Sequence, residues 1–368
     1  MEVIQLNKKK WSVTMAVVLC SGGMFAFSGL LVPSLENSAV IAKYSTATPV
    51  SAKASPAGSA VPVLKVEAPV PVSTVNDDLL LKQMTEEQIQ QIYDYMELPG
   101  DPNTSGREMT EAEINRRLVL EDQYVYDGVR PQKPLPLQAG QGEVYFDIKT
   151  NTYYQPERTW TDEELLQMID WYYRVNLVAS KRNITAPVVA VPEKFSKAEV
   201  QARAAESVRK LFDADISKLK TNVMLVEPGY GIPSFWSVHS EPYKSLTLLG
   251  QGQEYWQYSV QIDPDTGVVV DTTAFNSVMK RTPIDAAAAT AMKKDDSWVK
   301  EATRIVKDKQ GEKRKIVKAY LTDTEVNNKR GMVAVDVLLE DGSKYNAEFR
   351  YPGKQLRCLI YEPAGKAK

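Results

Sequence analysis

The chain has 368 residues, 43% of them hydrophobic and 25% charged, with a formal net charge of −2. These proportions exclude wholesale disorder, a collagen-like repeat and a polytopic membrane protein, and the charge balance gives no global pull toward nucleic acid. One histidine and two cysteines exclude a Cys/His zinc framework and a disulfide-stapled scaffold.

Lys8, Lys9 and Lys10 form a basic cluster, and no further charge follows until Glu36. Trp11–Val32 is long enough to span a bilayer, for which about 20 residues are needed, and the basic flank predicts an N-inside orientation. Residues 1–38 therefore read as a retained single-pass anchor, or as a signal peptide cleaved near Ala26-Phe27-Ser28 or Val40-Ile41-Ala42. Both readings leave too little chain inside for a core, so function is expected outside the cell. Cys358 is then the only thiol of the exported part, which fits a Gram-positive envelope better than a disulfide-rich secretory route.

Residues 39–75 are rich in Pro, Ala, Val and Ser and read as a linker, extended because repeated proline removes backbone donors. Residues 76–190 read as mostly helical with one short hairpin. Thr85–Gln88, Thr110–Glu113 and Thr161–Glu164 are capping boxes, each followed by apolar residues at helical spacing. The first and third copies also align Gln91 with Gln167, Asp94 with Asp170 and Tyr95 with Trp171, a degenerate internal repeat or shared capping chemistry. Val144, Phe146 and Ile148 alternate as in a half-buried strand, with a turn at Thr150-Asn151.

Residues 195–276 begin with a fourth capping box, Ser196–Glu199, and a stripe of Val200, Ala204, Val208 and Leu211. Strand patterns follow at 222–227, 234–240, 254–262 and 268–273, with a long connection at Glu241–Gly252 between the second and third. Residues 282–363 repeat the plan: a helix start at Thr282-Pro283, a second helix carrying Trp298, Ala302 and Ile305, then strands at 315–321, 332–339, 344–351 and 356–361. Asp341-Gly342 predicts a tight hairpin. The fold class is α+β: a membrane segment, a helical region, then two helix-plus-antiparallel-meander modules, each sheet covered on one face by its helix.

A strand ending in Ile262-Asp263, a turn with Thr266-Gly267 and a strand Val268-Val269-Val270, all after an Ala-rich helix, resemble a PepSY-type module. The resemblance covers Phe195–Asn276 and, more loosely, Thr282–Glu362. It implies an extracytoplasmic α+β module that binds or restrains peptidases and other envelope proteins. The family has no catalytic residues, and none is carried over.

No residue is assigned a catalytic, cofactor or metal role. His239 has Ser237, Ser240 and Glu241 beside it, but strand neighbours do not make a triad. Cys358 falls in an alternation that points it into the core, where a thiol is inert. Asp263 and Asp265 read as a turn. The aromatic residues Tyr153, Tyr154, Trp160, Trp171, Tyr172 and Tyr173 are the candidate partner-binding surface, because three adjacent rings on one helix cannot all face one core. Packing against a neighbouring module is the plainer reading of the same residues, and the preferred one. The basic run with Lys313, Arg314, Lys315 and Lys318 suits an anionic wall polymer, or an acidic part of the same chain. The expected partners are an envelope protein or peptidase, a wall polymer, and the membrane through the N-terminal segment. The function expected is non-enzymatic binding or regulation at the envelope, with an envelope hydrolase or an electrostatic cell-wall-binding protein as the alternatives.

Overall fold

The computed structural model describes residues 72–182, 194–228, 233–276, 278–322 and 324–365. The expected membrane segment and most of the linker lie outside the described residues. Among the described residues no helix is long and apolar enough to cross a membrane.

All four capping boxes form. The hydroxyls of Thr85, Thr110, Thr161 and Ser196 accept the backbone N–H three residues on, while Gln88, Glu113, Glu164 and Glu199 reach back to the cap amide. Each satisfies two orphan donors locally, which is why these starts are written so plainly in the sequence. They open α2 (Glu86–Met96), α3 (Glu111–Asp122), α4 (Asp162–Arg182) and α5 (Lys197–Phe212). A shorter α1 (Asp77–Gln83) precedes them, capped by Asn76. β2 (Tyr145–Asp147) and β3 (Thr152–Tyr154) make the expected hairpin, with Asn151 at φ 48° in its turn. β1 (Asn103–Ser105) adds a short parallel strand to β3. These elements pack around Ile92, Leu120, Tyr124, Phe146, Leu165 and Ile169 as a helical lobe.

The rest is one sheet. The first meander is β4 (Lys220–Val226), β5 (Phe235–Glu241), β6 (Gln257–Ile262) and β7 (Val269–Phe275). The second is β8 (Ile316–Thr322), β9 (Met332–Leu339), β10 (Lys344–Arg350) and β11 (Gln355–Glu362). Both expected meanders form, and they share one sheet: their last strands join, β7 to β11, in the order β4-β5-β6-β7-β11-β10-β9-β8. Thr272 sits opposite Leu359 at the centre of that seam, flanked by Thr273 with Cys358 and Asp271 with Ile360. Each meander also carries a bulge at the same place between its third and fourth strands, at Val270 and at Arg357. The two halves are thus related about the seam by an approximate two-fold.

Helices cover one face of the sheet. α5 lays Val200, Ala204 and Val208 on Trp236, Val238, Val260 and Ile262. In the second half α7 (Ala286–Met292) and α8 (Ser297–Arg304) place Met292, Trp298 and Ala302 on Val333, Val335, Val337 and Phe349. Each such fully buried aliphatic side chain contributes about 2 kcal/mol. The cap of α7 is Asp285 rather than Thr282. Ile284 donates its N–H to Asn328 and is buried, and Thr282 lies against Gly331, so these residues are held extended before the helix begins.

The connection after β5 contains a six-residue helix, α6 (Ser245–Gly250), that the sequence pattern did not reveal. It joins the lobes. Asp122 of α3 accepts the N–H of Thr247 (2.6 Å), Lys244 pairs with Asp127 (2.7 Å), and a Cβ on Gly250 would stand 2.7 Å from the carbonyl oxygen of Asn115. The backbones approach so closely that only glycine fits.

Candidate functional site

A cleft of about 630 Å³ opens in the helical lobe between α2, the N-terminal half of α4 and the segment 133–144. On α4, Glu163, Gln167, Asp170 and Arg174 recur at spacings of three and four, which puts them on one stripe of the helix. Opposite stand Glu87, Gln88 and Gln91 of α2. The remaining wall contains Pro134 and Pro136, whose fixed φ keeps it extended. It is pinned at two points: Glu163 Oε1 accepts the N–H groups of Gln132 (2.8 Å) and Lys133 (3.1 Å), and Pro136 O accepts that of Phe146 (3.0 Å).

The end of the stripe belongs to a charged network. Asp170 is buried and accepts from Tyr124 Oη (2.9 Å) and Arg174 Nε (2.6 Å). Burial, and then the Asp170 charge, push the Tyr124 phenol above its ordinary range. Arg174 Nη1 is buried and has no hydrogen-bond partner. Five glutamine amides, five carboxylates and two cations line the cleft, and no serine, cysteine or histidine does. The hydroxyl of Thr161 is spent on Glu164 Oε2 (2.9 Å). An amide both donates and accepts, as does a peptide unit, so this lining matches a polar chain-like ligand.

Of the six candidate aromatic residues, Tyr153, Trp160 and Trp171 lie in the core of the lobe, Tyr172 and Tyr173 pack against it, and Tyr154 does neither. Tyr153, Trp160 and Trp171 are buried, and Tyr154, Tyr172 and Tyr173 half-buried. α4 is packed from two sides, so adjacent rings find separate partners. Trp171 meets Tyr95 and Phe146 and donates to Tyr153 Oη (3.0 Å); Tyr172 meets Tyr153, and Tyr173 meets Tyr124. Tyr154 stacks on Tyr145. Of the six, Trp171 alone borders the cleft.

His239 lies on the sheet face away from the helices, its ring 6.0 Å from that of Phe275. Its Nε2 is 3.8 Å from Glu241 Oε2, and Ser245 Oγ donates to that same oxygen (2.9 Å). The carboxylate stands between hydroxyl and imidazole, so the imidazole takes no proton from the serine. A triad needs the reverse order. Burial pushes the Glu241 carboxyl up, but His239, Lys220 and Ser245 together bring it below the ordinary range. Burial raises Glu121 and Asp122 nearby.

A second buried cluster marks the seam. Arg357 Nη1 donates to Glu348 Oε2 (2.7 Å), and Asp271 accepts from Thr273 Oγ1 (2.8 Å). Burial pushes the Asp271 carboxyl up to about 7. Cys358 is buried as expected, but the bulge at Arg357 turns it onto this polar side, level with Glu348 and Thr273, rather than toward the helices. In the turn, Asp263 Oδ1 is filled by the N–H groups of Asp265 and Thr266 and the Thr266 hydroxyl. Among the described residues no three His, Cys, Asp or Glu side chains gather as metal ligands.

Sequence reasoning missed the cleft, because its lining comes from three distant segments. The aligned Gln91 and Gln167, which both line it, are the signal the sequence holds. No family model, curated protein or solved structure matches the chain.

Proposed function

We propose that this chain is an exported, membrane-anchored, non-enzymatic binding protein that regulates an envelope partner, such as a peptidase, by holding an extended segment of it in the cleft of the helical lobe. The observation that carries the reading is the cleft itself. It is an open cleft lined by glutamine amides and a proline segment, with an unpartnered guanidinium nitrogen at Arg174 and no serine, cysteine or histidine on its lining. Main-chain amides of an extended polypeptide complement such a surface, and an anionic polymer would meet its excess of carboxylates. The PepSY-like pattern of the two meanders and the uncharged N-terminal stretch supply the envelope setting of this reading.

Site-specific photo-crosslinking in the full-length chain tests it. A photoreactive residue replacing Gln91 or Gln138 is expected to yield peptide adducts from one envelope protein, mapped by mass spectrometry. The same group at Lys300, an exposed position on α8 that does not line the cleft, is expected to yield none. Adducts that are absent, or equal at all three positions, reject the reading.

A further inference from the structure

The eight-stranded sheet has two end strands, and they are not equivalent. At one end β4 has its single lysine occupied: Lys220 pairs with Glu241 (3.6 Å) and lies over the Tyr126 ring. At the other end β8 is hydrogen-bonded to β9 on one side only. Val317 is bulged out of register there and is 51% exposed, and Tyr320 is 39% exposed. Lys313, Lys315 and Lys318 are exposed along the strand and its approach. The neighbouring carboxylates Glu312 and Asp341 are taken by Arg314, and Glu340 is held by the N–H of Lys315. Lys318 lies 4.8 Å from the centre of the Tyr320 ring.

We propose that β8 is a docking edge for an extended acidic segment of another polypeptide, which adds to the sheet as a ninth strand. Three observations select this occupant. The free main-chain groups of an end strand are satisfied by another strand. Val317 and Tyr320 offer apolar contact to its alternate side chains. Three lysines with no carboxylate paired to them among the described residues favour a strand that brings negative charge.

A second copy of this chain is a poorer fit, since Ile316–Thr322 holds no carboxylate to meet the lysines of its twin. A polyanion such as polyphosphate would satisfy the lysines but leave the backbone row and the two apolar side chains unused. Lysines on an end strand ordinarily repel indiscriminate pairing. Here they also set the sign of the one partner admitted.

The probe is a synthetic hexapeptide alternating valine and glutamate, titrated at low salt into the full-length chain. Fluorescence anisotropy reads binding, and hydrogen exchange reads protection of the β8 amides. The peptide is expected to bind and to slow exchange in β8. Methylating alternate backbone nitrogens of the probe, which keeps its charge but removes its donors, is expected to weaken binding by about tenfold or more. The triple variant Lys313→Glu, Lys315→Glu, Lys318→Glu is expected to do the same while retaining the wild-type circular dichroism. If that variant misfolds, Lys318→Gln alone replaces it and is expected to weaken binding measurably. Failure of the parent peptide to bind, equal binding of the methylated peptide, indifference to the lysine changes, or dimerisation through β8 without peptide would each overturn the proposal. So would matched-charge polyphosphate competing fully while the bound hexapeptide leaves β8 unprotected.

Discussion

Replacing Asp271 with asparagine tests whether the seam is as closed to water as its packing implies. Asp271 is 7% exposed, has one side-chain donor in Thr273, and lies near both Arg357 and Glu348, which act on it in opposite directions. Burial dominates and moves its carboxyl from 3.8 up to about 7. That displacement corresponds to about 4 kcal/mol between the protonated and ionised forms. The folded value lies above the unfolded one, so the folded state holds the proton more tightly. The associated stabilisation is complete below about pH 4 and is lost as pH rises through about 7. An asparagine side chain in its place would keep an acceptor for Thr273 without the charge. The variant Asp271→Asn is therefore expected to exceed the wild type in stability at pH 8 by about 1–4 kcal/mol, the lower figure allowing for an amide donor left unpaired. The difference should shrink steadily toward pH 5. Urea denaturation of both proteins at pH 5, 6, 7 and 8 measures it, and the comparison cancels other buried carboxylates such as Asp122. A variant less stable than wild type at pH 8, or a difference that does not change with pH, refutes the reasoning.

The carboxylate of Glu113 stands in the opposite case. It is buried, is held below the ordinary range chiefly by Arg107, and also accepts from Thr110 and Trp160. Glu113→Gln is expected to cost about 2–4 kcal/mol at pH 7 by chemical denaturation, and less as pH falls below the unfolded value near 4.5. Gly250→Ala forces a Cβ against the carbonyl oxygen of Asn115 and is expected to cost about 1–3 kcal/mol, with faster proteolysis between the lobes. Trp171→Ala should cost about 3–5 kcal/mol and loosen the helical lobe, whereas Tyr154→Ala, on the half-exposed hairpin, should cost about 1 kcal/mol. Equal effects at the two positions, read from thermal melts, would contradict the packing described.

Much of the secondary structure is legible because it is locally determined. A capping box closes within four residues, so Thr85, Thr110, Thr161 and Ser196 announce their helices without reference to the rest of the chain. Strand alternation is equally local, and β9 falls at 332–339 as the pattern of Val333, Val335, Val337 and Leu339 implies. The pairing of β7 with β11 is different in kind. Thr272 and Leu359 are far apart in sequence, and neither strand's composition distinguishes an edge from a centre. The bulge at Arg357 escapes for a related reason: one unpaired residue reverses the faces that follow, and it reassigns Cys358 without altering the apolar count. The aromatic cluster leaves surface and packing both open, because periodicity shows how many faces a helix fills, not how many neighbours receive them. The cleft depends on where the proline segment crosses α4, a tertiary fact carried by Glu163 and two backbone amides.

The join at the seam bears on how the molecule can be divided. A fragment stopped after Phe275 would bare the flank of β7, and one begun at Thr282 would bare that of β11. Each strand already suits an antiparallel neighbour of its own kind, because the approximate two-fold sets equivalent strands side by side. An isolated half therefore has a ready remedy for its exposed amides in a twin of itself, and should be recovered as a pair. The intact polypeptide is, in that sense, a dimer whose subunits cannot part.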